Sequence, residues 1–251
     1  VSQLPPPQLP APLPRASAPR VTNPRDKQRN NSRSSSPYPV ANALIAINLG
    51  IFAWMGLTNS STLGMNGGIS DEAYLLGVSR DFIAQGEWYR MVSSGFVHFG
   101  ILHVAMNMYI LYHLGRMLEP SLGSFKFGLV YFASLLAGST GALLLTPNAF
   151  TGGASGAVFG LMAAAVVGMR QRGVNPFRTG LGATFAINII FTLAIPGISV
   201  GGHFGGALAG AACGAVLFAP RQWRLPNWAQ IATPLAVGAA AIAVVSLYIV
   251  R

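Results

Sequence analysis

The amino-acid sequence predicts an all-α, polytopic membrane bundle, and three observations carry that prediction. The first is composition. Of 251 residues, 52% are hydrophobic and 9% charged, against about 25% charged in an average soluble domain. Residues 40–251 hold only 10 Lys/Arg and 5 Asp/Glu, too few to solvate a globule of that size. A soluble enzyme is excluded. The second is the division of residues 40–251 into apolar blocks, and the third is the placement of positive charge between them.

Residues 1–39 come first. They contain 10 of the 17 prolines, six Lys/Arg and the runs Pro5-Pro6-Pro7 and Ser34-Ser35-Ser36. Such a segment cannot bury enough apolar surface to offset the entropy of ordering. It reads as a disordered, Pro-rich, basic cytoplasmic tail, with residues 40–251 as the membrane domain. No cleavable signal-peptide pattern opens the chain, which begins at Val1 and reads as truncated or processed.

Seven apolar blocks follow: Val40–Leu57, Ile101–Leu118, Phe127–Leu145, Ala154–Met169, Leu181–Ile195, His203–Phe218 and Ile231–Val250. A helix needs about 17–25 residues to cross the hydrocarbon core. Blocks one, two, three and seven qualify directly. Blocks four, five and six are short and read as spans sheathed by the longer helices, where ends need not reach the membrane surface.

With the tail inside, the inner segments contain Arg15, Arg20, Arg25, Lys27, Arg29, Arg33, Arg116, Lys126, Arg170, Arg172, Arg178, Arg221 and Arg224. The outer ones contain Arg80, Arg90 and Arg251. This positive-inside bias places the N-terminus inside and, after seven spans, the C-terminus outside. Segment 58–100 then lies outside and is the only connection large enough to carry structure of its own. The net charge of +10 does not indicate nucleic acid: half of it sits in the tail, and no basic stripe is interleaved with aromatics. Cys213 is the only cysteine, so no internal disulfide forms, and it reads as packing.

Polar side chains in hydrocarbon are costly and mark function by default. Ser155 opens block four and His203 opens block six, both at the outer end. His103 and Asn107 lie one turn apart near the outer start of block two, on one helical face. Glycine stripes bring two of these helices together. Gly202, Gly206, Gly210 and Gly214 run along block six, and Gly156, Gly160, Ala164 and Gly168 along block four. Such stripes let backbones approach closely in a membrane. A hydroxyl and an imidazole therefore flank a close helix contact, as an activated nucleophile of acyl transfer requires. Ser155 sits at a helix N-terminus, where backbone N–H groups favour a developing oxyanion. His103 and Asn107 can each add a side-chain N–H. No Asp or Glu lies in the outer half of any block, so a Ser-His dyad is the consistent reading, with no metal and no cofactor.

These residues resemble the rhomboid intramembrane serine proteases. Gly153-Ala154-Ser155-Gly156 is similar to their nucleophile motif, and Gly202-His203 with Gly206 and Gly210 to their histidine motif. His103-Val104-Ala105-Met106-Asn107 is similar to their HxxxN element. Glu87-Trp88-Tyr89-Arg90 is similar to the tryptophan-arginine signature of their first outer loop. Order and spacing match across about residues 40–218. The resemblance implies a six-helix core plus one C-terminal helix, with Ser155 as nucleophile and His203 as general base and acid. It implies an oxyanion hole from His103, Asn107 and the Ser155 N–H. Phe159 stands where the family places an aromatic ring against the catalytic imidazole. Some members have tyrosine there, so ring packing alone is expected to orient His203. The implied partners are the lipid bilayer and transmembrane protein substrates, cut near the outer face. Ala/Gly/Arg usage points to a bacterial plasma membrane.

Plainer roles are assigned to other residues. His98 is read as an interfacial or loop-anchoring residue, His113 as structural and too deep for the site, and Trp88 and Arg90 as anchors of the outer loop at the membrane interface. Three rival functions stand beside the protease: a metalloprotease gathering His98, His103 and His203, although no HExxH is present, a non-catalytic rhomboid-like protein binding membrane clients, and a channel or transporter with a polar vestibule. The non-catalytic relatives typically lack the serine or the histidine, and both are present. A channel needs polar groups through to the inner leaflet, where blocks four and six offer mostly glycine and alanine.

Overall fold

The computed structural model describes residues 38–65 and 68–249. The segment read as a disordered tail lies, except for residues 38 and 39, outside the described residues. Among those described the chain is helical, and the only β pairing is a single antiparallel bridge between Val78 and Thr151.

Seven helices correspond to the apolar blocks: α1 (Pro39–Thr58), α2 (Ile101–Leu122), α3 (Ser124–Leu145), α4 (Ser155–Gln171), α5 (Leu181–Ala194), α6 (Val200–Leu217) and α7 (Ala229–Ile249). Their outer faces carry large exposed apolar residues such as Leu57, Leu208, Leu235 and Tyr248. That surface suits lipid rather than water, and this is an integral membrane protein.

Four of these helices, α1, α3, α6 and α7, are long and apolar enough to span a bilayer. This corrects the expectation from block lengths in two places. Helix α6 qualifies because it starts at Val200, with the Ser199 hydroxyl accepting from the Gly202 N–H, three residues before the block. Helix α2 qualifies only together with the turn Arg90–Phe96, from which it is bent by 97°. Its own apolar content is diluted by His103, Asn107, His113, Arg116 and Glu119. Helices α4 and α5 have 17 and 14 residues, or about 26 and 21 Å at about 1.5 Å per residue.

The start of α1 shows how one buried charge is made tolerable. Glu119, at the end of α2, is 1% exposed. Its two carboxylate oxygens accept the backbone N–H groups of Val40 and Ala41, each at 2.9 Å, and Oε1 also accepts from the Ser124 hydroxyl. The carboxylate satisfies two of the four orphan donors at a helix N-terminus and sits at the favourable end of the helix dipole.

The centre of the bundle is glycine-lined. On α6 the stripe faces α4 in parallel register, Gly206 on Gly156, Gly210 on Gly160 and Gly214 on Ala164. The adjacent Gly201 and Gly205 meet Gly141 and Ala137 of α3, which runs the other way. Helix α6 thus touches two backbones at once, and that contact sets the spacing of Ser155 and His203.

Segment 58–100 has internal structure: short helices over Asp71–Leu76, Arg80–Ala84 and Arg90–Ser93, with 3₁₀ turns over Ser60–Leu63 and Ser94–Phe96. Its hub is Arg90, 4% exposed. The guanidinium pairs with Glu87 at 2.6 Å, donates to the carbonyls of Tyr74 and Gly77, and lies 3.9 Å from the centre of the Phe82 ring. Arg90 is therefore a staple inside the loop, not an anchor at the membrane interface. A guanidinium has five donors in a fixed fork, and this loop supplies the acceptors. Trp88 packs against the buried cluster of Val78, Ile83, Met91, Leu143, Val245 and Ile249, which draws on α3 and α7.

The Glu87 carboxyl is held below its ordinary value near 4.5 by the hydrogen bond from Arg90, then by that from Tyr89. A carboxyl depressed in the folded state stabilises above its unfolded value and loses that contribution as pH falls through the folded one. Glu87→Gln is therefore expected to melt below the wild type near neutral pH. The gap should close as the sample is acidified below the carboxyl range. A gap constant across that titration would assign the effect to packing.

Candidate active site

The loop before α4 is tied to segment 58–100 at three points. Val78 and Thr151 exchange backbone hydrogen bonds at 2.8 and 2.9 Å, the Gly153 N–H donates to the Ser94 carbonyl at 2.8 Å, and His98 Nε2 accepts from the Ala154 N–H at 3.5 Å. His98 is fully buried, and this contact matches its reading as a loop anchor. Gly153 has φ +132°, and a side chain there would also run into the His103 ring. Only glycine meets both conditions.

Helix α4 begins at Ser155, whose N–H has no acceptor within the helix. Its hydroxyl Oγ lies 2.8 Å from His203 Nε2, across 48 residues of sequence and the α4–α6 glycine contact. The Phe159 ring stacks on the imidazole with centroids 4.1 Å apart and planes 18° from parallel. Phe185 of α5 meets the Phe159 ring edge-on.

His103 and Asn107 face the same space from α2. The Phe99 N–H donates to His103 Nδ1 at 3.3 Å. A ring nitrogen that accepts is unprotonated, so neutral His103 carries its proton on Nε2, the nitrogen beside Gly153. Asn107 Nδ2 donates to the His103 carbonyl at 2.9 Å, which leaves its second N–H for another acceptor. Ser155, His203, His103, Asn107 and Phe159 all line one cavity of about 770 Å³. His113 does not reach it. That ring packs between Tyr109 and Tyr112.

One contact was not expected from the sequence. His203 Nδ1 lies 2.7 Å from the Thr192 hydroxyl of α5, so Phe159 is not the only group that orients the imidazole. This corrects the expectation of ring packing alone. The available signal was the spacing of Thr184, Asn188 and Thr192, a polar ladder one turn apart in an otherwise apolar block.

The fold and site define a class: an integral membrane helical protein with a serine and a histidine paired inside a cavity. The rhomboid domain model matches residues 85–220, and the chain belongs to the rhomboid family, which includes intramembrane serine proteases. It is 32% identical over 165 residues to Rhomboid protease GluP of Bacillus subtilis strain 168, covering 63% of this chain and 32% of that protein. It is 30% identical over 137 residues to Rhomboid-type serine protease 2 of Emericella nidulans, covering 52% of this chain and 27% of the relative. With RHOMBOID-like protein 1 of Arabidopsis thaliana it shares 29% identity over 198 residues, covering 77% and 49%. The chain spans less than two thirds of the length of each of these relatives.

Proposed function

We propose that this protein is a serine endopeptidase that cleaves transmembrane segments of other membrane proteins through a Ser155–His203 dyad. The observation that carries the reading is the 2.8 Å contact between Ser155 Oγ and His203 Nε2 inside a cavity of about 770 Å³. Ser155 Oγ attacks the scissile carbonyl carbon while its proton passes to His203 Nε2. The carbonyl oxygen, now negative, is met by the Ser155 N–H, His103 Nε2–H and the second Asn107 N–H. Collapse breaks the C–N bond, and His203 returns the proton to the leaving amine. Water, activated by the same imidazole, then hydrolyses the acyl-enzyme.

The charge bias supports seven spans with the N-terminus inside, which puts the Ser155 end of α4 and the cleavage near the outer face. Residues 1–39 are proposed as a cytoplasmic tail and residues 40–251 as the catalytic membrane domain. The composition favours a bacterial plasma membrane. The metalloprotease reading has less support: among the described residues no three of His, Cys, Asp and Glu gather as a metal-ligand group.

The test is cleavage of a transmembrane reporter in detergent, with products mapped by mass spectrometry. Ser155→Ala is expected to remove activity by a factor of at least about 10³, and a chelator to leave the wild type unchanged. Cleavage surviving in Ser155→Ala would sink the dyad. No cleavage by the wild type across several substrates would favour the client-binding reading.

A further inference from the structure

A dyad leaves one question open at His203: which ring nitrogen holds the proton before the reaction starts. Only an unprotonated Nε2 can take the Ser155 proton, and a free neutral imidazole samples both tautomers. Serine proteases with a third residue settle this with a buried carboxylate on Nδ1. Among the described residues no carboxylate lines the cavity, and Nδ1 meets Thr192.

The hydrogen-bond geometry around Thr192 decides the proton positions. Thr192 is 2% exposed, at the wall of the cavity. Its Oγ1 lies 2.7 Å from the Asn188 carbonyl and 2.7 Å from His203 Nδ1. A hydroxyl has one proton to donate, and a carbonyl can only accept. The Thr192 proton therefore goes to the Asn188 carbonyl one turn back, a common bond for threonine within a helix. The bond to His203 must then run the other way, with Nδ1–H donating to Oγ1. Since neutral imidazole carries one proton, Nε2 is left with its lone pair facing Ser155. Were Thr192 free to donate to Nδ1, the proton would sit on Nε2 and the base would be blocked.

We propose that Thr192 is the positioning residue of this site, anchored by the Asn188 carbonyl so that it holds His203 in the tautomer that accepts the Ser155 proton. The inference rests on the reading of Ser155 and His203 as the dyad. The proton balance is simple. When Oγ bonds to the substrate carbon, its proton moves to Nε2, and Nδ1–H stays on Thr192 Oγ1. When the C–N bond breaks, Nε2 gives up that proton and the imidazole returns to the same neutral tautomer. Thr192 neither gains nor loses a proton and touches no reacting atom.

The test compares wild type, Thr192→Val, Thr192→Ser and Ser155→Ala by kcat, KM and thermal melting in detergent. Valine keeps the branched shape and removes the hydroxyl, and serine restores the hydroxyl. Thr192→Val is expected to lose about 10- to 100-fold in kcat, less than the upper range of a general base, with KM and melting held. Thr192→Ser should recover to within about threefold. Nitrogen NMR of labelled histidine reads the tautomer directly, whatever the activity: Nδ1–H in wild type and Thr192→Ser, a mixture in Thr192→Val. Wild-type kcat in Thr192→Val, a loss confined to KM, equal losses in both Thr192 variants, or Nε2–H in the wild type would each overturn the role of Thr192 while leaving the dyad intact. Wild-type cleavage in Ser155→Ala would overturn the dyad and this inference with it.

Discussion

His203→Ala is expected to lower turnover by at least about 10⁴-fold, and the double variant with Ser155→Ala to be no worse than either single one. Nucleophile and base act as a unit, so removing one leaves the other without a task. Without His203 the Ser155 hydroxyl keeps its proton and remains a weak nucleophile. The measurement is single-turnover cleavage, supported by labelling of Ser155 with a fluorophosphonate, which also needs an activated hydroxyl. Wild-type labelling in His203→Ala would show that another group activates the serine. Multiplicative losses in the double variant would show that the two residues act independently.

Gly206→Val is expected to have a large effect although Gly206 does not line the cavity. The Cβ alone would collide with the Gly156 carbonyl, its carbon and its Cα, all backbone atoms with no rotamer to relax into. Overpacking of a close-packed site costs about 1–3 kcal/mol, occasionally more, and here the relaxation available is separation of α6 from α4. A displacement of about 1 Å at the dyad costs about 100-fold in rate. Activity and melting temperature should therefore fall together, with Ser155 and His203 still present. Gly50→Ala is the control, since nothing lies within 4 Å of a Cβ placed there. A Gly206→Val protein that melts and cleaves like the wild type would mean that the α4–α6 contact does not set the dyad distance.

These two expectations differ in how far the sequence alone supports them. The stripe Gly202, Gly206, Gly210 and Gly214 and its match on α4 are local periodicities, visible because residues four apart share a helix face. The candidates Ser155, His203, His103 and Asn107 are legible for a related reason. Polar groups are rare in hydrocarbon, and counting apolar blocks assigns all four to the same end of the bundle. What the blocks could not convey is where each helix begins. Helix α6 starts at Val200 because Ser199 caps it, and capping depends on a few atoms that average hydropathy does not register.

The roles of Arg90 and Thr192 lie further from the sequence. Arg90 follows an aromatic pair in a loop, which is also how an interfacial anchor looks. Its staple role requires the carbonyls of Tyr74 and Gly77, 16 and 13 residues away, to converge on one guanidinium. Thr192 looks like an ordinary threonine bonding its own helix. It becomes part of the site only because α5 returns against α6 and brings Oγ1 within 2.7 Å of Nδ1.

Composition, block length and charge bias determined that this chain is a helical membrane protein, because the cost of burying polar groups in lipid acts on each residue where it stands. Spacing determined which residues could meet. Only the tertiary structure decided which atoms do meet and at what distance, and with them the proton on His203. Hydrogen bonds depend on separations of tenths of an ångström between residues remote in the chain, and those separations come from the packing of backbone on backbone.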